Sequence, residues 1–234
     1  MLRLTSLSAG YTPSASVLTD ITFGVEAGVA VGLIGRNGAG KTCLARTVHG
    51  LLRAHAGTVE LDGRSLDGLS PRQRVRAGLA LVPEGRLVFA DLTVRENLEM
   101  AAYGAGRPLD DAALERVFAM FPTLHRKSDH HAGAMSGGEQ QWLALGRALV
   151  QAPRVIVLDE PSLGLSPVAI AGLAQSLSEI RDSGVAIVLM EQNPHLLEVL
   201  CQRVLLLDRG RVVSELDMAG SGAGLIARAY LGNG

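Results

Sequence analysis

Lysine is nearly missing from this chain. Only Lys41 and Lys127 occur among 234 residues, and arginine supplies the rest of the positive charge. The formal net charge is −1, so no global field draws the chain toward nucleic acid or anionic lipid, and no nucleic-acid partner is expected. Two cysteines, Cys43 and Cys201, cannot build a disulfide framework; a reducing compartment suits them. Aromatic residues make up 3% of the chain, so one that lies outside the core is conspicuous. The longest apolar runs, such as Val155–Leu158 and Val185–Met190, are of strand length and far from the roughly 18 residues of a membrane span. No basic region followed by an apolar run opens the chain, so no signal peptide is expected. These absences lead to the expectation of a soluble chain that reaches any membrane through a partner.

The length suits one large α/β domain, with or without a small inserted subdomain, and is ample for a continuous core. Leu2–Leu7 and Ile21–Val25 alternate as strands of a partly exposed sheet do. Val29–Ile34 is a short apolar run that ends in a Gly-rich turn and leads into a helix from Lys41 to Leu51. Gly57–Leu61 and Leu79–Val82 read as further strands, with Ser70–Arg76 helical between them, capped by Ser70 and started by Pro71. From Glu84 onward the periodicity turns helical: Thr93–Ala102, Asp110–Phe121 and Glu139–Val150 follow one another with no strand between them. β-branched runs return at Val155–Leu158, Val185–Leu189 and Val204–Leu207. The pattern is that of an α/β core holding an all-helical insertion.

Gly35-Arg36-Asn37-Gly38-Ala39-Gly40-Lys41-Thr42 matches G-x-x-x-x-G-K-[ST] and sits between an expected strand and an expected helix. Glycines let successive backbone N–H groups turn inward around a phosphate, and the helix that follows points its positive end at the same anion. Lys41 would bridge the β- and γ-phosphates of ATP, and the Thr42 hydroxyl would ligate Mg²⁺. Cys43, in the first turn of the helix, is counted with this set; a helix dipole there can lower a thiol pKa, but the side chain is expected to pack. Val155–Leu158 ends in Asp159 and Glu160. Asp159 would hold Mg²⁺ through water, and Glu160 is placed to act as general base on the water that attacks the γ-phosphate.

Met135-Ser136-Gly137-Gly138-Glu139-Gln140 contains the Ser-x-x-Glu pattern of a capping box, which opens a helix whose free N–H groups can receive an anion. A second anion site in one chain suggests a shared nucleotide. This segment resembles the L-S-G-G-E-Q signature of ATP-binding-cassette ATPases, and the order of motifs agrees with that family over essentially the whole chain. The resemblance implies a phosphate-loop (RecA-like) core at 1–83 and 146–234, an N-terminal antiparallel β subdomain and a helical subdomain at 84–145. It implies that Ser136, Gly137, Gly138 and Glu139 close over the γ-phosphate held by another subunit. It also implies that Tyr11 stacks on adenine, that Pro161–Pro167 runs to the dimer partner, and that the helical insertion docks onto membrane subunits.

Three positions depart from the family pattern. Glu84 stands where most members have a Gln that senses Mg²⁺ and water, Gln192 where most have a His on the γ-phosphate, and Ser166 where most have an Asp. A carboxylate at Glu84 can ligate Mg²⁺, and the Gln192 amide can donate to a phosphate oxygen. Val82-Pro83-Glu84-Gly85-Arg86, Asp159–Leu165 and Glu191-Gln192-Asn193 together are similar to one of the two ATPase subunits of bacterial branched-chain amino-acid importers. That likeness implies a head-to-tail dimer with a second, non-identical cassette or with itself, two transmembrane permease subunits and an external substrate-binding protein. It places the chain in the cytoplasm, peripheral on the inner face of the membrane. A urea or amide importer ATPase is a close alternative, and a soluble iron–sulfur assembly ATPase a more distant one. His125, Asp129, His130 and His131 match no metal spacing and are expected to lie on a solvated loop, and His195 falls three residues after the Gln192 position.

Overall fold

Alternation and two register shifts shape the first sheet. In β1 (Leu2–Ala9) the buried residues are Leu2 and Leu4, then Leu7 and Ala9, so the buried set changes parity within the strand. Ser6 has a φ of 48°, and the pairing with β2 (Leu18–Val25) shifts between Leu4 and Leu7. The extra residue returns the side chains to the core face. The computed structural model describes residues 1–12, 14–218 and 226; the remainder of 219–234, which the sequence reading assigns to the core, lies outside the described residues.

After β2 come β3 (Ala30–Ile34), α1 (Lys41–Val48), β4 (Ala54–Leu61) and β5 (Arg64–Ser65). An antiparallel four-stranded sheet runs β2-β1-β4-β5. The second sheet takes β3 together with β6 (Leu79–Val82), β7 (Val155–Asp159), β8 (Ala186–Glu191), β9 (Arg203–Asp208) and β10 (Arg211–Asp217) in the order β10-β9-β3-β8-β7-β6. It is parallel except for β10, which pairs antiparallel to β9. Its middle strands are buried on both faces, as crossover helices require. Val155, Val157, Val188 and Met190 face a core shared with the antiparallel sheet and α1. The alternate residues Ile156, Leu158, Ile187 and Leu189 face a second core built with the helices.

Those helices are α2 (Pro71–Arg76) before β6, then α3 (Val94–Gly104), α4 (Asp111–Met120), α5 (Pro122–Arg126) and α6 (Gly137–Leu149) between β6 and β7. α7 (Pro167–Asp182) and α8 (Pro194–Leu200) follow. Local chemistry starts most of them. Ser70, Thr93 and Ser136 each make a full capping box, with Gln73, Glu96 and Glu139 respectively, while Asp110, Ser166 and Asn193 cap through their side chains alone. The fold is thus the expected one, an α/β phosphate-loop core with an antiparallel β sheet and a helical insertion. Three local expectations needed correction. α1 stops at Val48 rather than Leu51, because Gly50 takes a φ of 72° and turns the chain. β4 starts at Ala54, ahead of Gly57. β10 was not anticipated at all.

One buried base gives the fold a pH signature. His49, at the end of α1, is 3% exposed; its Nδ1 lies 3.0 Å from the Ala45 carbonyl, and its Nε2 is buried. Burial outweighs the Ala45 carbonyl and lowers the imidazole pKa from 6.5 to about 4. The unfolded chain therefore takes up this proton first as pH falls. Stability from this group is intact above pH 6.5 and is lost through the window down to about 4, a total of about 3 kcal/mol. Urea unfolding at pH 7.0 and pH 4.5 should show the loss, and His49→Gln should flatten that difference. An equal pH slope in the variant would show that other groups carry it.

Candidate functional site

The carboxyl ends of β3, β8 and β7 meet at one edge of the parallel sheet, where open α/β folds place their ligands. In register, Ile34 sits beside Glu191 and Asp159 beside Met190. The chain leaving β3 is the glycine-rich loop. Gly38 and Gly40 have φ of 82° and 114°, conformations closed to most side chains. A Cβ at Gly40 would also stand 2.7 Å from the Leu18 side chain. Gly35 and Ala39 are buried in the turn, with Ala39 N–H donating to the Arg36 carbonyl at 3.0 Å, and the Arg36 side chain points to solvent.

Lys41 is 4% exposed, and its ammonium is fully engaged: it donates to the Gly35 carbonyl at 2.6 Å and lies 3.1 Å from Glu160 Oε1. Glu160 follows β7 with a φ of 48°, a left-handed conformation that costs a non-glycine residue roughly 1–2 kcal/mol. Gln192 Nε2 donates to both carboxylate oxygens of Glu160, at 2.9 and 3.0 Å, and to Asn37 Oδ1. Lys41, Glu160, Gln192 and Asn37 thus form one cluster.

Beside them opens a cleft of about 560 Å³ lined by Tyr11, Asn37, Gly38, Gly40, Lys41, Thr42, Cys43, Glu84 and Glu160, among others. Tyr11 is more than half exposed on its wall. A second cleft of about 420 Å³ brings Thr42, Glu84 and Asp159 together. Asp159 Oδ1 is buried without a hydrogen-bond partner. Burial raises the carboxyl pKa; the Thr42 hydroxyl and Lys41 oppose that, while Glu160 and Glu84 add to it. An orphaned carboxylate oxygen next to a hydroxyl and a second carboxylate fits Mg²⁺, which takes one or two carboxylates and completes its shell with phosphate and water.

Cys43 packs, as expected. Its thiol is buried in the core, and burial raises its pKa against the opposing effects of the Thr47 hydroxyl and Arg46. Ser166 serves as the N-cap of α7, with its hydroxyl accepting from Ala169 N–H at 3.3 Å. His125 stacks on Phe118 at 4.8 Å, and His131 Nδ1 lies 3.0 Å from the Asp91 carbonyl.

The second anion motif is not part of either cleft. Ser136 Oγ accepts from Glu139 N–H at 3.4 Å, and Glu139 Oε2 accepts from Ser136 N–H at 2.9 Å. Lys127 Nζ lies 2.6 Å from Glu139 Oε1 and is the main cause of the lowered Glu139 pKa. One lysine of the chain therefore lies in the first candidate phosphate motif, and the other pairs with a residue of the second. Sequence reasoning did not single out two residues that the fold places here. Arg86 donates to the Leu163 carbonyl at 3.2 Å, and a Cβ on Gly137 would stand 2.9 Å from its guanidinium, so it joins the Glu84 loop to the segment after Glu160 and to the Ser136 turn. Glu191 is a buried carboxylate between Ser162 and Gln192. Burial raises its pKa, and bonds from Ser162, Asn193 and Gln192 oppose the rise.

A parallel sheet with a glycine-rich loop after β3, a lysine opening the following helix and a carboxylate pair at the end of β7, on the far side of β8, defines a phosphate-loop nucleoside triphosphatase. The chain belongs to the ABC transporter family, whose profile matches residues 18–163. It is 40% identical over 227 residues to the high-affinity branched-chain amino acid transport ATP-binding protein BraG of Pseudomonas aeruginosa, covering 95% of this chain and 96% of that one. It is 35% identical to the probable branched-chain amino acid transport ATP-binding protein LivF of Archaeoglobus fulgidus, over 91% and 90% of the two chains. Among solved structures, an ATP-binding subunit of an ABC transporter superposes with a TM-score of 0.82 at 31% identity over 99% of this chain and 93% of that one. The ADP conformation of another ABC transporter cassette gives 0.84 at 23% identity over 97% and 93%, a likeness of fold. The chain is an ATP-hydrolysing subunit of an ABC transporter.

Proposed function

We propose that this subunit drives a branched-chain amino-acid importer, in a head-to-tail ATP sandwich with a second cassette. The observation that carries this reading is the near full-length likeness to BraG, joined to Glu84 and Gln192 at two of the three positions where the chain leaves the common family pattern. In this reading Tyr11 stacks on adenine and Gly35 to Thr42 cradle the phosphates, with Cys43 packed beneath them. Lys41 neutralises charge between the β- and γ-phosphates. Thr42, Asp159 and Glu84 would hold Mg²⁺, which supplies charge neutralisation on the phosphate oxygens when bound. Glu160 takes the proton of the attacking water, and Gln192 holds the Glu160 carboxylate together with Lys41. The Ser136–Glu139 turn of the partner cassette closes over the γ-phosphate with backbone N–H groups and the Ser136 hydroxyl.

Residues 84–145 serve as the subdomain that meets two membrane permease subunits, which keep the chain peripheral on the inner face of the membrane. No described helix is long and apolar enough to cross a membrane. The test is to reconstitute the chain with the second cassette and the membrane subunits encoded beside its gene. ATP hydrolysis is then measured with the cognate external binding protein loaded with leucine, isoleucine or valine. Stimulation several-fold above the unloaded protein is expected. Stimulation by urea or short amides instead would reassign the cargo, and hydrolysis indifferent to all membrane partners would reject the importer reading.

A further inference from the structure

The assignment of Glu160 and Gln192 leaves the buried carboxylate of Glu191 without a role. Glu191 is the last residue of β8, 2% exposed and flanked by the hydrophobic strands β3 and β7. A carboxylate in such a place is retained only if its oxygens are satisfied. Backbone donors from two different loops satisfy them. Oε1 accepts from Ser162 N–H at 2.8 Å, in the segment that follows Glu160 and leads to α7. Oε2 accepts from Gln192 N–H at 3.2 Å and from Asn193 N–H at 3.4 Å, at the start of α8. Glu160 N–H donates to the Met190 carbonyl at 2.9 Å, so the same strand end also holds the backbone of the catalytic carboxylate.

We propose that Glu191 is a positioning residue which fastens the Gln192 loop to the Glu160–Ser166 loop, so that the Gln192 amide and the Glu160 carboxylate keep their mutual geometry as one unit. This inference rests on the roles given above to Glu160 and Gln192. A hydrophobic residue at 191 would fill the volume but leave the Ser162, Gln192 and Asn193 donors buried without acceptors. A serine, threonine or asparagine is too short to serve both loops at once. The carboxylate is the side chain that reaches both with an acceptor on each prong. Its position also gives a route: a shift of the segment after Glu160 reaches the Gln192 backbone through the Glu191 side chain, beside the direct bonds of the Gln192 amide to Glu160 and Asn37.

Steady-state ATP hydrolysis should be compared for Glu191→Ala, Glu191→Gln, Gln192→Ala and Glu191→Ala/Gln192→Ala, in the assembly that gives the wild-type rate. Glu191→Ala is expected to lower kcat at least tenfold while KM for ATP changes less than threefold, because Lys41 and the glycine loop are untouched. The double variant should be no slower than the slower single variant within about threefold, since both changes remove the same constraint. Glu191→Gln retains the shape, so it decides the matter if the alanine variant does not fold. Its amide turns one donor toward a backbone N–H and releases one loop, so kcat should fall and hydrogen exchange should quicken at Ser162 or Gln192. Wild-type kcat in folded Glu191→Gln, or losses that multiply in the double variant, would overturn the inference. If Gln192→Ala and Glu160→Gln themselves kept full activity, the underlying site assignment would fail instead.

Discussion

Glu160→Gln is expected to lower the ATP turnover rate by about 100- to 10,000-fold, the range that a positioned general base contributes. The same change should leave ATP binding intact or tighten it. In the present arrangement the Glu160 carboxylate lies 3.1 Å from Lys41, the side chain that the reading above gives to the nucleotide phosphates. Carboxylate and γ-phosphate are both anions drawn to the same ammonium, so a neutral amide at 160 removes one competitor for it. Pre-steady-state hydrolysis and equilibrium titration with fluorescent ATP would separate the two effects. A variant that hydrolyses at the wild-type rate would remove Glu160 from the proton-transfer role. A variant that loses both binding and turnover would mean that the substitution disturbs the loop itself, where the left-handed backbone at Glu160 is least forgiving.

Lys41→Ala should act in the opposite sense on binding. A hydrogen bond to a charged group is worth about 1.5–3 kcal/mol, so ATP affinity is expected to fall about 10- to 100-fold, with hydrolysis undetectable. Part of the cost has a second origin: Glu160 and the Gly35 carbonyl lose their partner at once. Adding Glu160→Gln to Lys41→Ala should therefore recover some affinity without recovering turnover. Strictly additive binding losses in the double variant would show that the ion pair does not oppose nucleotide entry.

The glycine-rich loop, the Asp159–Glu160 strand end and the Ser136 capping box were legible because each is a short segment whose chemistry is local. Glycines at Gly38 and Gly40 announce positive φ, and Ser-x-x-Glu announces a cap. The two-faced burial of β7 and β8 was legible as unbroken apolar runs. β10 was not, because it is an edge strand with alternating exposed and half-buried residues and no continuous apolar stretch. The Arg209–Gly210 turn, both residues at positive φ, was the available signal for that hairpin. Glu191 and Arg86 were invisible as joints for a different reason. Their partners Ser162 and Leu163 lie 29 and 77 residues away, and the contacts are to backbone atoms that carry no sequence signature. Cys43 was legible as a packed residue, although the strands that bury it over α1 are distant in sequence.

The placement of the two lysines makes the protein an unusually sparse target for amine chemistry. A reagent that modifies primary amines finds the amino terminus, Lys41 at 4% side-chain exposure and Lys127 at 35%. Reductive methylation with ¹³C-formaldehyde would thus yield three resonances, one reporting the glycine-rich loop and one the Ser136 turn. Because Lys41 is buried against Glu160 while Lys127 stays open to solvent, the two should label at different rates, and nucleotide should change the slower one. Movement around the glycine-rich loop and around the Ser136 turn could in this way be followed separately, with no engineered probe.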